Sequence, residues 1–420
     1  MATQQDDPVM TVVARLMRRL DLLAECSDAP DALTRLYLSP AHAAAVGCVS
    51  EWMRDHGLAV RLDPAATVIG RLDGPRPNSP VLLIGSHIDT VRDGGRYDGN
   101  LGVLGGLAAL ELLKAEGVAL PFAVELLAFG DEEGVRFPAT LTGSRAFAGT
   151  LESAAQCAVR DRDGVTLGDA LAAFGGDPAS LPQARFTGRP LGFVELHIEQ
   201  GPVLERAGLA VGVVTAINGA SRYRITVTGE AGHAGTVPMA GRRDALAAAA
   251  DMMVAIRRIG LAGDRVTATV GQIDVLPGAV NVIPGEAVFT LDLRAPDDAV
   301  RMAAWREIAL AMEAIARPHG VDLVVERTHD AAAAPCDPEL QVLLERACET
   351  VGTGSLRLPS GAGHDAMAMI ALCPIAMLFV RCRHGISHHP AEAIEATDAA
   401  IAIRVLAEFL VGLANTIASA

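Results

Sequence analysis

Apolar and polar positions follow three successive textures along the 420 residues. At 8–24 and 41–56 apolar residues recur every three or four positions, which predicts amphipathic helices. Short β-branched runs follow at 59–63 and 67–72, joined by a turn at Pro64, and the apolar run VLLI at 81–84 leads into GSHIDTVRDGGRYDGN. A Gly-rich apolar helix is predicted over 101–116, a strong strand over 122–129, an Ala-rich helical stretch over 167–174 and a further strand over 192–196. Strands that are apolar on both faces and alternate with helices predict an α/β fold with a mainly parallel sheet.

From about Gly212 the texture changes. Segments 213–216, 223–228, 266–275 and 287–293 are alternating and β-branched, with strong helices predicted at 244–259 and 300–316. Four strands and two helices predict a small α+β domain with a four-stranded antiparallel sheet. The α/β texture then resumes with a helix at 338–351, a strand at 375–380 and a closing helix at 398–414, for which Asp398 would be the N-cap. The expected organisation is therefore one α/β domain built from 1–212 and 332–420, with 213–331 inserted and hinges near Gly212 and 331–335.

Composition narrows the partners. The net charge is −15, from 35 basic and 50 acidic residues, and no basic run occurs, which argues against nucleic acid and anionic membranes. A small anionic substrate remains open, because one or two local arginines suffice for it. Seven scattered cysteines without a CxxC pair fit a reducing compartment. Residues 1–10 are polar and acidic with no apolar segment of secretory type, and no uninterrupted apolar run is read as membrane-spanning, so a cytoplasmic location is the expectation.

Candidate chemistry gathers at the strand exits. His87 and Asp89, two apart at the end of a strand, share a face. Asp98 stands at the entrance to the Gly-rich helix, where a carboxylate could also serve merely as a cap. Glu132 and Glu133 follow the strand at 122–129, His197 ends the strand at 192–196, and His388 lies in the loop after 375–380. Each has a plain alternative as a solvated or capping residue. All five potential ligands, His87, Asp98, Glu133, His197 and His388, would have to be incidental at once for no site to exist. Two imidazole-carboxylate sets sharing one carboxylate are what a two-metal hydrolytic centre needs. Glu132 would then be free to act as a base, and Asp89 would accept the second ring N–H of His87. The ligand types suit zinc, manganese, cobalt or nickel.

Together HIDTVRDGGRYDGNLGV, FGDEEGVRF with LTGSRAFAG, ELHIEQGPVLE, GHAGTVPM with RRD, NVIP with LDLR, SGAGHDAM and GISHHPAE resemble the amidase and carbamoylase branch of the M20 metallopeptidase family. The resemblance implies a catalytic domain with a dinuclear manganese or zinc site and an inserted lid through which a homodimer forms. It makes Asp98 the bridging ligand, with His87 and His197 on one ion and Glu133 and His388 on the other, and Glu132 the general base. It further implies that His233 helps polarise the scissile carbonyl, that Asn281 and Arg294 grip a substrate carboxylate, and that Gln200 and His364 belong to the substrate site, with Asp365 near it. His384 and His389 receive no role. The implied activity is hydrolysis of a ureido C–N bond in a small carboxylate. Allantoate comes first as substrate, with an N-carbamoyl-L-amino acid or N-carbamoyl-β-alanine as the alternative. A peptidase or deacylase of the wider family, or a silent dimeric binding protein, are the remaining readings.

Overall fold

The computed structural model describes residues 8–263 and 265–419. The acidic start, residues 1–7, lies outside them. The chain divides into two compact units: one is built from the residues up to Thr215 together with Cys336–Leu358 and Ala362 onward, the other from Ala216–Pro335 with Pro359–Gly361.

In the first unit, strands lie side by side in the order Ala59–Leu62, Val68–Leu72, Ala123–Phe129, Val81–His87, Pro190–Ile198, Ile375–Val380 and Val211–Ile217. The four central strands from Ala123–Phe129 to Ile375–Val380 are parallel, and the flanking pairs are antiparallel. All residues of Val81–His87 and Ala123–Phe129 are buried, as expected of strands covered on both faces. The parallel register aligns His87 with Phe129 and Phe379 with His197, so four strand exits open at the carboxyl ends of the central strands. Helix Asn100–Ala115 packs on this sheet through glycines. At Gly102 a β-carbon would stand 2.3 Å from the carbonyl oxygen of Leu196, so no other residue allows so close an approach.

The closing helix, Ala396–Ser419, corrects two expectations. It begins before Asp398, whose carboxylate instead receives two hydrogen bonds from Arg381, each 2.8 Å, and does not cap. Its 396–418 stretch contains an 18-residue window of mean hydropathy 1.7 and is long and apolar enough on composition to cross a bilayer, although no uninterrupted apolar run was read as spanning. In the fold Ile403, Leu406, Phe409 and Leu410 of this helix are buried in the core of the first unit, together with Leu107 and Val405.

The second unit contains an antiparallel sheet in the order Ile273–Leu276, Glu286–Ala295, Gly219–Thr228, Asp322–Ala331, with Thr267–Thr269 also pairing with Glu286–Ala295. Helices Ala245–Ala262 and Asp298–His319 bury Met252, Ile256, Ile308 and Met312 against Ile225, Phe289 and Leu291. Each is capped by an aspartate at its N-cap, Asp244 and Asp297, accepting two backbone N–H groups. The sheet differs from the four strands expected. Residues 213–216 belong instead to strand Val211–Ile217, which pairs with Ile375–Val380 in the larger sheet, and 266–275 breaks into two strands around Gly271. Asp322–Ala331, DLVVERTHDA, was missed because nearly all of its residues are exposed, so the strand carries no apolar alternation.

Candidate metal centre

Asp98 stands at the middle of the first unit's strand exits, 5% exposed. It does not cap the helix that follows: Gly99 is the N-cap, with φ +67°, and makes no side-chain capping bond. Gly99 is needed for a second reason, since a β-carbon there would lie 2.5 Å from three atoms of the His87 ring. The Asp98 carboxylate therefore points away from the helix and into a group of imidazoles. His87 Nε2 is 3.6 Å and His197 Nε2 3.2 Å from Oδ1, while His388 Nε2 is 3.3 Å from Oδ2. His388 Nε2 is also 3.4 Å from Glu133 Oε1. One carboxylate thus has two imidazoles at one oxygen, and an imidazole with a second carboxylate at the other.

The far sides of these rings decide what the near sides can do. His87 Nδ1 is 3.0 Å from the carbonyl oxygen of Asp89, and His197 Nδ1 is 3.0 Å from that of Ile198. A carbonyl only accepts, so both rings carry their proton on Nδ1 and, when neutral, turn the Nε2 lone pair toward Asp98. That donor set, two inward lone pairs and two carboxylates within reach of one another, suits a divalent cation. The residues present fit the implied metal group. Without a cation, burial opposes charge on His87, but the Asp98 hydrogen bond and the charges of Glu132 and Asp89 outweigh it and hold the ring well above the usual imidazole range. His388, exposed at the rim, is pushed up to about 10 by hydrogen bonds to Asp98 and Glu133. The cluster as a whole favours positive charge. Donor atoms of His87, Glu132 and Glu133, and separately of Asp98, Glu133 and His388, all lie within 4.8 Å of one another.

Asp89 plays a different part from the one expected. Its carbonyl, not its carboxylate, takes the His87 N–H, and the carboxylate is 3.7 Å from the ring. The carboxylate oxygens accept the backbone N–H groups of Glu132 (3.2 Å) and Glu133 (3.3 Å), holding that turn in place. Asp131, Gln200 and His388 have positive φ of 67°, 56° and 55°, a conformation that side-chain-bearing residues adopt at a cost and that clusters at functional sites. Glu132 is half-buried, and burial, then the charges of Glu133, Asp365 and Asp89 against the relief given by His87, push its carboxyl well above the usual range.

Gln200 directs its amide nitrogen to Asp98 Oδ2 at 2.9 Å. His364 packs edge-on against His197, ring centroids 4.4 Å apart, and burial followed by the His197 charge holds it well below the imidazole range. Burial and Glu195 push Asp365 up to about 8. The other expected residues belong to the second unit. His233 and Asn281 are exposed neighbours there: Val282 pairs with His233, and the N–H of Ala234 donates to the Asn281 carbonyl. Arg294 makes a two-pronged contact with Asp292, Nε to Oδ1 at 2.7 Å and Nη2 to Oδ2 at 3.0 Å, and donates from Nη1 to the Gly361 carbonyl at 2.7 Å. His384 lies at the surface, 3.7 Å from Glu205, and the His389 ring accepts the N–H of Ala391.

Three residues around the centre escaped the sequence reading, the buried Glu195 and Glu392 and the half-buried Ser387. Glu195 accepts from the Ser86 hydroxyl (2.7 Å) and the Ala366 N–H (3.0 Å), and Ser387 and Glu392 contact Asp98 from the loop of His388. Glu195 is two residues from His197 on the same strand face, a signal the spacing did contain.

Relatives fit this geometry. The chain is 43% identical over 395 residues to an N-carbamoyl-L-amino acid amidohydrolase of Geobacillus stearothermophilus, covering 93% of this chain and 96% of that one. It is 41% identical to an allantoate deiminase of Arabidopsis thaliana, covering 93% and 81%. A crystal structure of an amidase of the hydantoinase/carbamoylase family from Burkholderia multivorans superposes with a TM-score of 0.89 at 34% identity, covering 95% of this chain and 97% of that one. With the model of peptidase family M20/M25/M40 matching residues 83–411, the chain belongs to that family.

Proposed function

We propose that this protein hydrolyses the ureido C–N bond of a small carboxylate, allantoate first, at a centre where Asp98 would be shared between two divalent cations. The observation that carries the reading is the Asp98 carboxylate with imidazole nitrogens at both oxygens and a second carboxylate, Glu133, in reach of His388, while Glu132 lies within 4.8 Å of His87 and Glu133. In this assignment His87 and His197 hold one cation, and Glu133 and His388 the other. Manganese or zinc is the expected metal, and the ligand types also accept cobalt or nickel. Bound cations supply an acidified water and polarisation of the carbonyl under attack.

The residues of the chain do the rest. Glu132 takes the proton of the attacking water on its carboxylate and returns it to the leaving nitrogen, a role suited to a carboxyl of raised proton affinity. Asp89 keeps the Glu132–Glu133 turn fixed through its two backbone hydrogen bonds. Gln200 orients Asp98 and belongs to the substrate site with His364. On family resemblance, His233 stabilises the developing oxyanion, while Asn281 and Arg294 take the substrate carboxylate. The products are the amine, ammonia and carbon dioxide. A homodimer formed through the second unit is part of the same reading, and sedimentation of the purified protein tests it: a monomer at micromolar concentration removes that part.

An N-carbamoyl-L-amino acid is the second reading, favoured by the 43% identity to an amidohydrolase of that name. Ammonia release from allantoate beside a panel of N-carbamoyl-L-amino acids and N-carbamoyl-β-alanine separates the two. Preference for allantoate is expected. Preference for a carbamoyl amino acid selects the alternative, and no turnover of any ureido compound rejects both.

A further inference from the structure

Glu392 lies four residues after His388, in the loop GISHHPAE, and is 3% exposed. Its Oε1 accepts the backbone N–H of Tyr97 at 2.9 Å and of Asp98 at 3.1 Å. Its Oε2 accepts the hydroxyl of Ser387 at 2.9 Å, and the same hydroxyl oxygen is 3.0 Å from Asp98 Oδ2. One side chain therefore joins two loops of the first unit that are 294 positions apart in sequence, one carrying Asp98 and the other His388. Room for it is reserved by Gly95, where a β-carbon would fall 2.1 Å from Cδ and Oε1 of Glu392.

A buried carboxylate is costly unless donors satisfy it, and one placed beside Asp98 also meets a like charge. Glu392 has three neutral donors and no basic partner among these contacts. Two of those donors are consecutive backbone amides, so the carboxylate fixes the peptide that orients the Asp98 side chain. The third is on the residue before His388, whose own backbone is held at φ +55°.

We propose that Glu392 is a positioning residue that sets Asp98 against His388 and thereby the affinity for the cation on the His388 side. The proposal rests on the reading of this cluster as a two-cation centre. Its effect is on the site and not merely on folding, because the three bonds converge on the two ligand loops and reach no other element. Residues that orient ligands from behind in this way are typically worth 10- to 100-fold in metal affinity.

The test is a titration of the metal-free protein with Zn2+ against a chromophoric chelator, far below the unfolding temperature, with circular dichroism as the check on folding. Wild type is expected to bind two equivalents. Glu392→Ala is expected to weaken one equivalent by roughly 10- to 100-fold and leave the other within a few-fold. Glu392→Gln keeps an acceptor for the two amides and is expected to recover most of the loss. Ser387→Ala removes the Oε2 link together with the hydroxyl's contact to Asp98 Oδ2, leaves the two backbone bonds of Oε1 in place, and should weaken the same equivalent several-fold; it decides the matter if Glu392→Ala does not fold. Wild-type affinity for both equivalents in folded Glu392→Ala, or in Ser387→Ala when that variant decides, overturns the proposal, as does an equal loss of both. A wild-type protein that binds no ion removes the reading of the centre and the proposal with it.

Discussion

The floor of the first unit and the polar side chains of the second are built to opposite standards. His87 and His197 are each 1% exposed, locked at Nδ1 by backbone carbonyls and converging on one carboxylate oxygen. His233, by contrast, is exposed on a two-residue strand and Asn281 in the turn just before its two-residue partner strand, and Arg294 already spends its fork on Asp292. The difference assigns the tasks. Under the proposed function, the parts that would hold cations in fixed geometry sit at the ends of buried parallel strands, whereas the residues assigned to the substrate sit on more exposed segments of the second unit.

The comparison breaks most sharply at Glu132. Glu132→Gln keeps the shape of the site and removes the base, so turnover should fall by roughly a hundredfold or more with metal content unchanged. Steady-state kinetics with metal analysis on the same sample checks this, and near-normal turnover refutes the assignment. A milder change is expected in the second unit. Arg294→Lys exchanges a planar fork for a point charge, and KM for the carboxylate substrate should rise roughly 10- to 100-fold while kcat changes less. A substrate amide lacking the carboxylate should be turned over alike by both proteins, and unequal loss on it would place Arg294 elsewhere in the reaction.

Asp292→Asn sharpens the same contrast. It weakens the pair that occupies the Arg294 fork, so KM should fall by a few-fold if the guanidinium takes the substrate carboxylate. An increased KM would mean that Asp292 orients the arginine productively. A separate effect concerns stability, away from the candidate centre. His42 is buried with no exposed surface, and burial, then the Arg35 charge, lower its pKa to about 3 from 6.5. The unfolded chain thus binds a proton that the folded one refuses between pH 6.5 and about 3, and stability contributed by the neutral ring is lost as pH falls through that window. The slope is about 1.4 kcal/mol per pH unit at most, and it should flatten in His42→Gln when unfolding by urea is followed against pH.

The sequence displayed the first unit better than the second, for a physical reason. Runs such as VLLI before His87 are buried on both faces and stand out against any background, and their exits coincide with the candidate ligands. Asp322–Ala331 is an exposed edge strand whose charged residues hide its extended backbone, and 266–275 conceals a break at Gly271. Within the candidate centre, side-chain type and spacing sufficed to name His87, Asp98, Glu132, Glu133, His197 and His388. What they could not supply was the direction of a hydrogen bond. Asp89 was expected to meet His87 through its carboxylate and does so through its carbonyl, and the residue behind Asp98, Glu392, is distant in sequence and was read only as part of a motif.

Cation binding at Asp98 is the central element of the proposed function. The measurement that tests it most directly is ammonia release from allantoate by metal-stripped protein during stepwise addition of Mn2+ or Zn2+, with bound metal determined in parallel. The account predicts negligible turnover without metal and a rise that saturates as two equivalents are bound. Undiminished turnover by protein shown to be metal-free, or saturation with no metal bound, would contradict it.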